Sequence, residues 1–294
     1  MVAAIITDVI GRDVGDLVAR GNTSDVFDWA RDAVVKLLRP GIPPEWAGRE
    51  ATITQLVNAS GFPAPAVLDT VTIEGRPGIV FERITGISMW DEMLAHPSRI
   101  PQLSRTLANL QAELNSLPAP PGMPELHDRL AMNIAVASLL PPVERAAAQQ
   151  ALDGLPRGVS LCHFDVHPNN VLLGPDGPVL IDWFDAAAGA PAADIVRTSL
   201  LLRHGPASGY LHDATAEIVA RIHADYLRRT FEIRELEDAA LLAWEAPIVA
   251  SRLAEPVPTE VPLRMWRRSR LAGGSLLDEA IQLARNPSEG DQFS

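Results

Sequence analysis

The sequence predicts an α+β chain in which a small N-terminal antiparallel-sheet lobe with one helix precedes a larger, mostly helical C-terminal lobe. Three observations lead there. Short apolar runs alternate with turn chemistry over residues 16–38, the pattern of a strand meander. One stretch of helical spacing, residues 43–60, is followed by two further strand-like runs. Beyond Gly86 the pattern becomes mostly helical almost to the end, with strand-like runs only near residues 159–181.

Each element has a local reason. In the meander, residues 17–19, 26–27 and 33–38 are β-type, whereas Gly21-Asn22-Thr23-Ser24-Asp25 and Arg31-Asp32 have turn composition. Pro43 and Pro44 open the helix, and Gly61 and Pro63 close it. On that helix Trp46, Ile53 and Val57 stand at i−4, i+3 and i+7 from Glu50, so a carboxylate lies within the apolar stripe. A carboxylate removed from water wants a cationic partner. Residues 66–73 and 78–82 read as strands separated by the turn Glu74-Gly75-Arg76-Pro77. The boundary is expected near residue 84, giving lobes 1–84 and 85–285 and a flexible tail 286–294. The second lobe begins with a helix near residues 101–117 and a proline-rich break over 118–124. Residues 159–162 and 171–173 are strand-like, Gly174 to Pro178 is a turn into strand 179–181, and helices run from about residue 193.

Composition excludes several classes. With 294 residues and 47% hydrophobic content, a sizeable core is available. The chain opens without the basic start and long apolar core of a secretory signal. Its longest apolar candidate, residues 241–253, is broken by Glu245, Pro247 and Arg252, so a soluble cytoplasmic protein without a membrane span is expected. A net charge of −12 speaks against nucleic acid and suits a cationic small molecule. The single cysteine, Cys162, can form no internal disulfide and reads as a small buried hydrophobe. Of 25 basic residues one is lysine, Lys36. Where arginine serves everywhere else, that position wants a compact ammonium that a planar guanidinium cannot replace.

The strongest motif is His163-Phe164-Asp165-Val166-His167-Pro168-Asn169-Asn170, with Asp182 twelve residues after Asn170 at the end of an apolar strand. It reads H-x-D-x-x-x-x-N, hairpin, D. Phosphoryl transfer needs a carboxylate facing the acceptor hydroxyl and oxygen ligands holding Mg²⁺ against the nucleotide phosphates. A loop followed by a tight hairpin can bring such groups to one cleft.

At these residues the chain resembles the aminoglycoside phosphotransferase and choline-kinase-like family, whose His, Gly, Asp, any, His, Pro, any, Asn pattern is matched at all but the glycine. Lys36 and Glu50 extend the match, in the family's order. The resemblance implies a bilobal protein-kinase-like fold and transfer of the γ-phosphoryl group of ATP or GTP, with Mg²⁺, to a hydroxyl of a small molecule such as an aminoglycoside, another antibiotic or an amino alcohol. It further implies that Asp165 is catalytic, that Asn170 and Asp182 bind the metal, and that Lys36 grips phosphate and is held by Glu50. The backbone of Glu82 and Ile84 would meet the nucleotide base, with Ser24 in the loop over the phosphates. His163 and Asp194 would support the site structurally.

Departures from the pattern are specific. Phe164 replaces the usual glycine, and a positive φ there would strain it. Trp183-Phe184 follows Asp182 where protein kinases have Phe-Gly, which favours a constitutively formed site. Gln111 stands where relatives often have histidine. Two alternatives accompany the kinase reading: a metal-dependent hydrolase using His163, Asp165 and His167, and a catalytically silent nucleotide-binding protein of the same fold.

Overall fold

A six-stranded sheet forms the N-terminal part, with β1 (Thr7–Asp8), β2 (Leu17–Arg20), β3 (Ser24–Ala30), β4 (Ala33–Leu38), β5 (Val67–Ile73) and β6 (Arg76–Glu82) in the order β1-β5-β6-β4-β3-β2. The computed structural model describes residues 7–8, 14–208, 215–255, 262–263, 265–266 and 275–285. The meander over residues 16–38 is present and antiparallel, but β1 adds a parallel strand beside β5. Between β5 and β6 the turn is tighter than its composition suggested. Glu74 and Gly75 adopt φ of 51° and 76°, as a two-residue hairpin turn with matching twist requires, so Arg76 and Pro77 already belong to β6.

Helix α1 (Glu45–Ala59) covers one face of this sheet. Ala47 and Ala51 of α1 pack with Leu38, Ile79 and Phe81. On the other face Ala33, Val35 and Leu37 meet Val71, Ile73 and Val80. The alternation along β4 therefore buries residues on both sides.

The chain packs as two units, one running to Ile87 and taking in Leu172–Phe184, the other comprising Ser88–Val171 and the residues from Asp185 onward. The stretch carrying Asp182, placed with the second lobe from sequence, thus packs with the first unit. It contains β10 (Gly177–Leu180), joined by a short turn to β9 (Val171–Gly174), and Leu180 N donates to Pro63 O at 3.2 Å. A short β7 (Ile87–Ser88) falls at the division between the units.

The second unit is mostly helical: α2 (Met89–Ala95), α3 (Ile100–Ser116), α4 (Leu126–Val136), α5 (Pro142–Asp153), α6 (Pro191–Ser208), α7 (Ala216–Ile233), α8 (Asp238–Leu242), α9 (Glu245–Ser251) and α10 (Asp278–Arg285). Helix α3 packs on α7, α7 also on α10, and α4 on α5 and α9. A two-stranded ladder of β8 (Ser160–Cys162) and β11 (Ala187–Gly189) lies beside α3 and α6. Cys162 is buried there, and burial, with the charge of Asp194, pushes its thiol well above the ordinary range. Among the described residues no helix is long and apolar enough to cross a membrane. The expected tail, residues 286–294, lies outside the described residues.

Candidate active site

In the first unit Lys36 is the hub. It sits mid-strand in β4, paired with Val26 on one side and Ile79 on the other. Its Nζ donates to Glu50 Oε1 at 2.6 Å and to Asp182 Oδ1 at 3.0 Å. Glu50 is buried on α1, as the helical phase required. Burial by itself would lower the Lys36 ammonium, but the Asp182 and Glu50 carboxylates outweigh it and hold the group above the usual lysine range. A permanent cation results.

Asp182 is delivered to that cation by an unusual backbone, with φ of 64°. The residues after it anchor the loop. Trp183 is buried, donates Nε1 to Leu180 O at 2.9 Å and meets Phe62 edge-on at 5.7 Å. Phe184 lies against Trp46 at 4.5 Å between ring centroids, and Arg49 Cζ is 4.8 Å from the same ring. Trp46, Arg49 and Glu50 all belong to α1, so one helix grips both the lysine and the aspartate loop.

Ser24 is placed differently from expectation. It is the first residue of β3, paired with Leu38 and buried, and the turn before it comprises only Gly21 to Thr23. Glu82 ends β6, its N–H donated to Ala66 O at 2.9 Å. Ile84 follows in an irregular stretch.

In the second unit the segment from His163 to Asn170 folds on itself. His163 is fully buried, and its Nδ1 accepts from Asp165 N at 3.2 Å. Asn170 Nδ2 donates to Asp165 O at 2.9 Å and to Asp165 Oδ2 at 3.0 Å, which leaves the Asn170 amide oxygen out of both bonds. His167 Nε2 stands 3.5 Å from Asp165 Oδ2. Burial would raise the Asp165 carboxyl, but the His167 hydrogen bond and the charges of His167, Arg197 and His163 hold it well below the usual carboxylate range. The carboxylate form is thereby kept. Among the described residues no three His, Cys, Asp or Glu side chains are arranged to hold a metal ion, and the His163 ring nitrogen committed to Asp165 N is unsuited to the hydrolase alternative.

Phe164 has φ of 64°, the left-handed conformation that glycine takes freely and that costs other residues roughly 1–2 kcal/mol. Asp194 meets part of that cost: its Oδ1 accepts from Phe164 N at 2.7 Å and its Oδ2 from Asn115 Nδ2 at 2.9 Å. Behind it, Gln111 Nε2 donates to Thr198 Oγ1 at 3.0 Å and Tyr226 donates its hydroxyl to Gln111 Oε1. Asn115, Tyr226, Arg129 and Arg197 were not singled out from sequence. The one available signal was position: Asn115 follows Gln111 by a helical turn and so shares its face.

The family model described as "Phosphotransferase enzyme family" matches residues 18–241. Among the solved structures similar to this chain are the following three. A choline/ethanolamine kinase family protein from Mesorhizobium loti is 16% identical with a TM-score of 0.54, over 95% of this chain and 88% of that one. An aminoglycoside-3'-phosphotransferase of type VIII is 18% identical with a TM-score of 0.54, over 83% and 92%. An aminoglycoside phosphotransferase from Streptomyces rimosus, in complex with ADP and streptomycin, is 18% identical with a TM-score of 0.50, over 77% and 90%. No curated protein matches.

Proposed function

This chain belongs to the phosphotransferase enzyme family, and on that premise we propose that it transfers the γ-phosphoryl group of ATP or GTP to a hydroxyl of a small, cationic acceptor. The observation that carries the reading is the buried Lys36 ammonium shared by Glu50 and Asp182. A lone lysine could be kept for solubility anywhere on a surface. One buried between two carboxylates from different parts of the chain is a built charge site.

In this reading Lys36 contacts the nucleotide phosphates, and Glu50 holds its ammonium at the depth those phosphates need. The backbone near Glu82 and Ile84 receives the base, and Ser24 helps enclose the phosphates from the start of β3. Asp165, kept ionised by its neighbours, orients the acceptor hydroxyl and takes its proton as the oxygen becomes bonded to phosphorus. His163 and Asp194 hold the backbone that leads into it, accepting from the N–H of Asp165 and of Phe164. The donor types suit Mg²⁺, Asp182 offering a carboxylate and Asn170 an amide oxygen that takes part in neither of its bonds to Asp165. Such an ion would neutralise phosphate charge.

Two observations support the acceptor. The chain carries a net charge of −12, and a neighbour of the same fold binds streptomycin; both favour an amine-bearing acceptor, with an antibiotic as one candidate. The test is nucleotide consumption by the purified protein with Mg²⁺, using ATP and GTP in turn, across aminoglycosides, macrolides, amino sugars and amino alcohols. Turnover with an amine-bearing alcohol is expected. Turnover confined to uncharged acceptors would remove the cationic assignment, and no nucleotide binding at all would remove the function.

A further inference from the structure

We propose that Arg129 and Arg197 are positioning residues that clamp Phe164, and that this clamp replaces the glycine expected before Asp165 in holding the catalytic loop. The inference rests on the reading of Asp165 as the group facing the acceptor.

The residue before Asp165 combines features that local sequence cannot reconcile. Phe164 has a Cβ, adopts φ of 64° and is buried, so something outside the loop must hold it there. Two guanidinium groups lie against its ring, Arg129 Cζ at 5.0 Å and Arg197 Cζ at 5.3 Å from the centroid, within reach of the ring's negative face. They come from different elements, α4 and α6. Arg197 also donates Nε to Phe164 O at 3.2 Å. With Asp194 taking the N–H, both backbone polar groups of Phe164 are bonded to side chains of α6, so the peptide entering Asp165 cannot rotate without breaking one of them.

The arginines are themselves held. Arg197 forms a two-point ion pair with Glu255, at 2.9 and 3.1 Å, and lies 3.9 Å from Asp165 Oδ1. Arg129 donates to Asp185 O and stands 3.4 Å from Asp185 Oδ1. Each cation brought against the ring therefore faces a carboxylate, Glu255 being shared with Arg252 at 3.4 Å, and neither is buried uncompensated. Glycine would reach the same φ without help, but would leave this backbone free to visit others.

A double-mutant cycle tests the clamp, with intrinsic MgATP hydrolysis and MgATP affinity as readouts. Arg197→Met is expected to lower kcat about tenfold or more while changing the Kd for MgATP less than about twofold. In a Phe164→Gly background, where left-handed backbone is free, the same change should cost only about twofold to threefold. Phe164→Leu, which keeps the Cβ and loses the ring, should behave like Arg197→Met. Equal penalties in both backgrounds, or normal kcat in Phe164→Leu, overturn the clamp. The cycle is also read in unfolding free energy, where coupling between positions 164 and 197 is expected and additivity overturns it. If the wild-type protein neither binds nor hydrolyses MgATP, the phosphotransfer reading fails, and the unfolding cycle still decides the clamp.

Discussion

Lys36 Nζ lies 2.6 Å from Glu50 Oε1, joining the middle of a β-strand to a buried position on the helix that follows. The pair is mutually necessary. A buried carboxylate without a cation is costly, and a buried ammonium without carboxylates would tend to shed its proton.

Lys36→Met therefore strands Glu50, and the variant is expected to lose about 3–5 kcal/mol of stability, measured by chemical denaturation. Lys36→Arg should fail as a replacement, because a planar guanidinium cannot occupy a point shared by Glu50 and Asp182. For both variants kcat/KM for MgATP is expected to fall by roughly 100-fold or more. The folded ammonium is raised, so the pair's stabilisation is fully present below the unfolded lysine value of about 10.4. It is lost only as pH rises through the higher folded value, leaving the neutral range flat for this group.

Asp165→Asn should lower kcat by roughly 10²–10⁴-fold while nucleotide affinity stays within about twofold, measured by turnover and by equilibrium binding of MgATP. Asn170→Ala removes the two bonds that fix Asp165. It is expected to reduce kcat and, in addition, to raise the Mg²⁺ concentration needed for half-maximal turnover. An unchanged Mg²⁺ requirement would take Asn170 out of the metal site.

Asp194→Ala leaves the N–H of Phe164 and one N–H of the Asn115 amide without an acceptor, in a fully buried place, while Asn115 Nδ2 keeps its bond to Leu161 O. Each stranded donor costs about 1–3 kcal/mol, so the melting temperature should drop sharply. Asn115→Leu removes the bonds to Asp194 Oδ2 and Leu161 O together with their donor but keeps the Phe164 N–H bonded to Asp194, and a smaller loss is expected.

His223, buried on α7, has no hydrogen-bond partner for Nε2 among the described residues. Burial, then the nearby charges of Arg203 and His204, lowers its pKa from 6.5 to about 3. The unfolded chain binds a proton there that the folded one refuses. Its contribution is thus fully present above pH 6.5 and is lost as pH falls toward 3. Within that window the loss approaches about 1.4 kcal/mol per pH unit. His223→Leu should flatten the fall of melting temperature with pH from 6.5 to 4.5, and an unchanged slope would place the acid sensitivity elsewhere.

The candidate site residues stand out in the sequence because the roles proposed for them constrain residue type and spacing together. His163, Asp165 and Asn170 fall within one loop, Lys36 is the only lysine in the chain, and Glu50 betrays itself by interrupting an apolar stripe of period 3.6. These are local signals, carried by neighbours within a turn or a strand. The support around them is of another kind. Nothing near Phe164 in the chain announces Arg129 or Arg197, which are two among 24 arginines and reach the ring from 35 residues before and 33 residues after it. The packing of Leu172–Phe184 with the first unit, the parallel pairing of β1 and the strand position of Ser24 are likewise settled by partners distant in sequence. A pattern along the chain records what each segment needs, whereas the choice among many chemically equal partners is made only when the chain is folded and one of them is within reach.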